Sequence, residues 1–273
     1  MIDINAGCGD WPFWPTRAHD AASLEELLRA EGIERACAYP LEAYLWPDPQ
    51  EANELRLPEL VKSPFFVPSA VLNPTFPNAL RCYEACRRGW NVPMIRLIPS
   101  YHLYELSHEG VGALAGRAEE DGVILGVHLQ AEDKRNRNPI VIELSEVPFG
   151  DAVALARRHP KLTVVAFGLA RIGDVQTAGL LPEGYVGRLP TMKEVEHRAD
   201  IPENLFVELS FFELEDSFNT ALKLFRPEQL LMGTHAPIFY PRAAPLKIQR
   251  STAPEAAKSA ALAGNARRLL GLA

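Results

Sequence analysis

The chain has 273 residues, 47% hydrophobic and 23% charged, with a formal net charge of −7 at pH 7. These are ordinary globular values, enough for one α/β barrel or two smaller domains. The acidic balance, with no basic stripe interleaved with aromatics, argues against a nucleic-acid partner. The N-terminus has no basic segment leading into an apolar run and a cleavage site, so neither a signal peptide nor a membrane span is expected. Four cysteines in a chain of this length do not make a disulfide framework, and a reducing cytoplasm is the expected location.

The first apolar run, Ile2–Ala6, reads as a strand carrying Asp3 and Asn5 on one face. Asn5 would offer a hydrogen-bonding amide to a polar ligand, while Asp3 lies one layer deeper and would buttress it. Cys8 at the strand end is either a small apolar filler or a thiol that a neighbouring histidine could activate. The loop Trp11–Trp14 is rigid and apolar, and is expected to be buried within the fold or against another subunit. Ser23-Leu24-Glu25-Glu26 fits a helix capping box, and Arg35–Tyr39 is a second strand. Asp48-Pro49-Gln50-Glu51 combines a capping residue, a proline at the first helical position and a glutamate in the first turn. Phe65–Val71 is a third strand, followed by a helix over Pro77–Gly89. On that helix Cys82 and Cys86 are four residues apart, readable as half a metal site or as two buried thiols on one face.

Met94–Ile98 is a fourth strand with Arg96 in its middle. A charge inside a strand needs a partner, and a guanidinium fork there suits a carboxylate, of a substrate or of Glu208. Tyr101, His102 and Tyr104 follow in the next loop as candidate ligand contacts, and Glu109–Asp121 reads as a helix. Val123–His128 is a fifth strand that places His128 at its C-terminal end. After it, Gln130–Pro148 is a long polar loop containing Lys134-Arg135-Asn136-Arg137-Asn138. A helix over Asp151–His159 leads to a sixth strand, Leu162–Phe167, then a glycine-rich loop over Gly168–Pro190 and a helix over Thr191–Ala199. Leu205–Ser210 is a seventh strand, with Glu208 and Ser210 sharing a face, where the carboxylate could pair Arg96 or orient His235. A helix over Phe212–Phe225, an eighth strand over Leu230–Thr234 and helical sequence after Pro254 complete the pattern.

Eight nearly continuous apolar strands alternating with helices, with no break in composition, predict one closed (β/α)8 TIM barrel over residues 1–273. An open doubly wound sheet is the alternative, but no G-x-G-x-x-G or P-loop follows a strand. The long loops after strands five and six lie where such barrels build their sites.

Several pieces, in this order, resemble the amidohydrolase-related family, amidohydrolase family 2 of the metal-dependent hydrolase barrels. They are Asp3-Ile4-Asn5-Ala6-Gly7 at strand one, Met94–Pro99, Leu125–Gln130, Leu231-Met232-Gly233-Thr234-His235-Ala236-Pro237, and the closing Gly264-Asn265-Ala266-Arg267-Arg268-Leu269. The resemblance implies metal ligands at two strand-one histidines, one histidine each on strands five and six, and a strand-eight aspartate. Here the strand-one positions hold Asn5 and Gly7, strand six ends Phe167-Gly168, the strand-eight position holds His235, and only His128 matches. A catalytic zinc takes about three protein ligands and a water. The resemblance therefore implies a degenerate metal site, with zinc absent or held weakly by His128, His235 and a carboxylate such as Glu208.

The expected pocket opens at the C-terminal ends of the strands, lined by Asn5, Arg96, Tyr101, His102, His128, Glu208 and His235. The expected activity is hydrolysis of a small carboxylated molecule, with Arg96 holding the carboxylate and His128 or His235 acting as base, supported by Glu208. The alternative is a barrel that has lost its metal and binds a small molecule without turnover. A third reading makes the chain an assembly subunit with Trp11–Trp14 as its contact, and a homo-oligomer is compatible with all three. A fold likeness does not by itself establish chemistry.

Overall fold

A computed structural model describes residues 1–132, 144–170, 201–213 and 216–273. The basic tract 134–138 and the helix expected over 191–199 lie outside the described residues, as does most of the loop expected over 168–190. Eight parallel strands follow one another around a single sheet in chain order: β1 (Ile2–Cys8), β2 (Arg35–Pro40), β3 (Phe66–Val71), β4 (Met94–Leu97), β5 (Ile124–His128), β6 (Val164–Phe167), β7 (Leu205–Glu208) and β8 (Leu230–Leu231). The sheet closes on itself through main-chain bonds from Ile4 N to Met232 O (3.1 Å), Gly7 N to Ala236 O (2.7 Å) and His235 N to Asn5 O (2.8 Å). The architecture is a (β/α)8 TIM barrel, as the alternation of apolar runs and helical stretches predicts.

The helices between the strands start where local chemistry puts them. In α1 (Ala21–Ala30) the cap is Asp20, whose carboxylate accepts from Ser23 N at 2.8 Å; Ser23 is the third residue of the helix, not its cap as expected. In α2 (Pro49–Leu60) Asp48 accepts from Gln50 N at 2.9 Å and Pro49 holds the first helical position. The helices α3 (Ala79–Trp90), α5 (Glu109–Asp121) and α6 (Phe149–Arg158) fall close to their expected places, and a short α4 (Pro99–His102) precedes α5. The stretch expected as a helix over Phe212–Phe225 is helical over Ser217–Leu224, and an unforeseen helix covers Ala243–Gln249. Cys86 is buried with its thiol on Gln50 Oε1 (3.4 Å), and Cys82 packs beside it in the layer between sheet and helices.

Strands β7 and β8 are shorter than the apolar runs suggest because side chains and other segments take their ladder donors. Glu208 Oε1 accepts Ser210 N, Asp3 Oδ1 accepts Thr234 N at 2.9 Å, and Ala261 O accepts Met232 N at 3.0 Å. Asp3 also accepts Asn5 N (2.8 Å) and the Thr234 hydroxyl (2.5 Å), so one buried carboxyl ties β1 to the segment after β8.

Three buried layers result. One lies between sheet and helices; a second fills the lower lumen with Ile2, Ile4, Met94, Ile124, Val165 and Leu231; a third closes the upper end with Trp11, Tyr39, Tyr44, Ile98 and Ala131. The polar groups lie in the lumen between the lower and upper layers. Asp3→Ala would leave three buried donors without their acceptor, so we expect a loss of about 3 kcal/mol in urea-unfolding free energy; a loss within experimental error would show that Asp3 does not fasten the seam.

Candidate active site

Arg96, in the middle of β4, projects into the lumen and is 0% exposed. All of its N–H groups find partners. Nε donates to Ser69 Oγ (2.8 Å), Nη1 to Asn5 Oδ1 (3.0 Å) and to His128 Nε2 (3.2 Å), and Nη2 to Ile4 O (2.8 Å) and, more weakly, Cys37 Sγ (3.7 Å). Its guanidinium carbon lies 4.2 Å from the ring centroid of Tyr39 and 4.3 Å from that of Phe167. Gly126 makes room for this sandwich, since a Cβ there would fall 2.6 Å from the Phe167 ring. A guanidinium is always charged, yet each of these partners is neutral.

This cation fixes the state of its neighbours. An arginine can only donate, so His128 Nε2 accepts, and the proton of the neutral ring sits on Nδ1, donating to Tyr44 Oη at 2.8 Å. Tyr44 in turn meets the Tyr39 hydroxyl at 3.3 Å. Burial, then the charge of Arg96, holds His128 well below the usual imidazole range. At the other end, His235 Nε2 donates to Ala131 O (2.7 Å), leaving Nδ1 to accept from Asn5 Nδ2 (3.2 Å). Burial pushes His235 down to about 4. Its backbone is left-handed (φ 54°), a cost of about 1–2 kcal/mol outside glycine.

Asn5 is the hub. Its oxygen accepts from Arg96, and its amide nitrogen reaches both His235 and Glu208 Oε2, each at 3.2 Å. The pairing of β1 with β2 shifts between Asp3 and Ala6, so strict alternation does not run through this position. Glu208 accepts from Ser210 N (2.5 Å) and Ser210 Oγ (2.9 Å), and lies over Gly233, where a Cβ would be 2.4 Å from its oxygen. Burial raises this carboxyl to about 7 in spite of the Ser210 bonds that favour its charged form. Two expected contacts take another form: Glu208 neither pairs Arg96 nor orients His235, because Asn5 stands between them and bonds all three.

Other expected residues lie around this network. Tyr101 stacks edgewise on Tyr44 and Trp11 and donates to Glu132 Oε1 at 2.9 Å. His102 is outside the network, its Nε2 bonded to Ala43 O at 2.8 Å. Cys8 packs in the outer layer and burial pushes its thiol up to about 12, so the nucleophile reading fails. Trp11 is buried within its own chain, against Phe13, Trp14, Tyr44 and Tyr101. Sequence reasoning missed Ser69, Tyr39, Tyr44, Phe167 and Lys247. Lys247 donates to the carbonyls of Leu209, Ser210 and Phe212 and so steadies the turn that holds Glu208. The position of Tyr39 at the C-terminal end of β2 was an available signal, whereas Lys247 lies in a helix distant in sequence.

The metal implied by the family resemblance does not fit these residues. His128 Nε2 and Asn5 Oδ1 both face Arg96 Nη1, and both nitrogens of His235 are engaged. Among the described residues no group of three or more His, Cys, Asp or Glu side chains is arranged to hold an ion. Around the upper end of the barrel, a cavity of about 210 Å³ opens beside β5 and β6, lined by Leu129, Gln130, Glu146, Val147 and Gly168. It shares Glu146 and Val147 with a groove of about 570 Å³ running to Leu103 and Leu106.

The family model described as Amidohydrolase matches residues 49–272, and the chain belongs to that family. No curated protein sequence matches it. Among solved structures, it is similar to 5-carboxyvanillate decarboxylase from Sphingomonas paucimobilis (13% identity, TM-score 0.74, covering 100% of this chain and 99% of that one). It is also similar to 2,6-dihydroxybenzoate decarboxylase from Rhizobium (15%, 0.71, 99% and 98%) and to 4-oxalomesaconate hydratase from Rhodopseudomonas palustris (14%, 0.63, 99% and 95%). At these identities the likeness establishes the fold. Among the described residues no helix is long and apolar enough to cross a membrane.

The opposite shifts of Glu208 and His235 predict opposite pH dependences. Glu208 is raised from 4.5 to about 7, so the folded state holds its proton after the unfolded chain has lost it; its contribution is full below 4.5 and lost as pH rises to about 7. His235 is lowered from 6.5 to about 4, so its contribution is present above 6.5 and lost as pH falls to about 4. Glu208→Gln removes the first slope. Its melting temperature should therefore gain on that of the wild type as pH rises from 4.5 to 7 and stay parallel above; a constant offset across this range would show that Glu208 titrates normally.

Proposed function

We propose that this member of the amidohydrolase family acts on a small carboxylated molecule by proton transfer, with Arg96 supplying the positive charge that draws the acid and Glu208 supplying the proton. The observation that carries this reading is a fully buried guanidinium whose bonded partners are all neutral. Burying a charge without a counter-charge is expensive, and an incoming carboxylate would provide one. It would take over an Nη1 donor now shared between Asn5 and His128.

Removal of carbon dioxide from such an acid suits these groups better than hydrolysis. When the bond to the carboxylate breaks, its electron pair stays on the ring carbon, carbon dioxide leaves, and one proton is needed at that carbon. Glu208, its carboxyl raised by burial to about 7, could give one and recover it from water. Hydrolysis would need a base for water, and both imidazoles expected in that role are held low, with each ring nitrogen already bonded. The decarboxylases among the similar structures act on carboxylated aromatic acids, which agrees with this substrate class. Four buried free cysteines agree with a reducing cytoplasm.

A second reading, a barrel that binds an acid without turning it over, is favoured by the completeness of the Arg96 network. One assay separates the two. Incubation with a panel of aromatic acids, including 5-carboxyvanillate and 2,6-dihydroxybenzoate, should release carbon dioxide from at least one of them. Glu208→Gln should lower kcat by about 10²–10⁴-fold with KM little changed. Calorimetric binding without release would favour the second reading, and neither binding nor release across the panel would sink both.

A further inference from the structure

We infer that the Arg96 guanidinium is the permanent substitute for the metal ion of this barrel, so that the lumen carries its cation as a side chain and rejects a divalent ion. The resemblance places family ligands at the Asn5 position of β1 and at His128 of β5. In this chain one nitrogen, Arg96 Nη1, bridges those two side chains, 3.0 Å from the amide oxygen of one and 3.2 Å from the imidazole nitrogen of the other. These are the lone pairs a metal would need.

The substitutions around it agree with a cation of this shape and charge. An asparagine at position 5 gives a neutral acceptor for an N–H, and its amide nitrogen then serves His235 and Glu208. The β6 position that would supply another imidazole ends in Phe167-Gly168, and the Phe167 ring instead lies over the guanidinium at 4.3 Å. Gly126 leaves space for that ring, and Ser69 on β3 takes the Nε proton. A planar, weakly hydrated cation is held by aromatic faces and neutral oxygens, a shell that would be poor for zinc. A divalent ion at the same place would face a fixed like charge about one hydrogen-bond length away, with too few free lone pairs to offset the repulsion.

The test uses full-length chain purified without a histidine tag. The protein is dialysed against zinc, manganese or cobalt(II), metal content is measured, and the melting temperature is followed with each ion present. Wild type should hold substoichiometric metal and show no rise in melting temperature, since an ion that binds only the folded state must raise it. Stoichiometric metal in wild type that is lost in His128→Ala would overturn the inference; equal uptake by both would place the ion outside the lumen and leave it standing. Arg96→Ala opens the space a guanidinium fills. Its melting temperature should lie well below that of wild type and rise with low millimolar guanidinium, which should not raise that of wild type. An Arg96→Ala chain as stable as wild type would also overturn the inference. Should that variant fail to fold, the wild-type metal measurements decide alone.

Discussion

The lumen is organised by one constraint, that a guanidinium cannot give up its proton. Arg96 is charged at every pH the protein meets, fully buried, and bonded to side chains and a carbonyl that carry no formal charge. Because it only donates, everything touching it must accept. That sets the tautomer of His128, which orients the Tyr44 hydroxyl, and sets the flip of Asn5, which turns its amide nitrogen toward His235 and Glu208. One protonation state thus propagates across the barrel from β2 to β8 without any ion pair.

The surrounding backbone is shaped to allow this. Gly126 and Gly233 are missing a Cβ where the Phe167 ring and the Glu208 carboxyl must approach the wall. The register shift in β1 around Asn5, the left-handed His235 and the Asp3 clasp on Thr234 lie along the seam where β1 meets β8. Irregular pairing gathers there because two adjacent segments must each present a polar side chain inward while closing the sheet. Elsewhere the strands pair regularly and the lower lumen is filled with aliphatic side chains.

The barrel was legible because its signals are local. Continuous apolar runs bounded by helix starts reveal buried parallel strands, and Asp48-Pro49 marks a helix start from four residues alone. The members of the network were largely legible too, since Asn5, Arg96, His128 and Glu208 are polar residues in apolar strands and His235 follows one, where burial demands a partner. Their pairings were not. Nothing in the spacing of residues 5, 96 and 208 says that the amide, rather than the carboxylate, meets the guanidinium; that depends on a register shift and on the turn at Ser210 that draws Glu208 aside. The aromatic faces on Arg96 were hidden for a similar reason, because Tyr39 and Phe167 look like ordinary core residues until Gly126 shows which way the ring must lean. The shortening of β7 and β8 escaped periodicity because side-chain carboxyls, not sequence pattern, capture the ladder donors.

Under the proposed function, charge would couple binding to chemistry in this arrangement. Burial raises the Glu208 carboxyl to about 7 while the Ser210 bonds pull it down. Its ionised form adds negative charge to the lumen that holds Arg96; its protonated form leaves that cation more exposed to an anion. A carboxylate arriving at Arg96 brings a negative charge close to Glu208, and like charges disfavour one another's ionised forms. Binding of such an acid would therefore raise the Glu208 carboxyl further, and by reciprocity the protonated carboxyl would bind the acid more tightly. In the proposed reaction, the group that delivers the proton would then be loaded by the arrival of the molecule that needs it. The two neutral imidazoles matter to this coupling: held low by burial, they add no competing positive charge. A metal in the same place would hold nearby carboxylates ionised. A guanidinium sheathed in aromatic rings and separated from Glu208 by an amide would anchor the anion while leaving the carboxyl free to titrate.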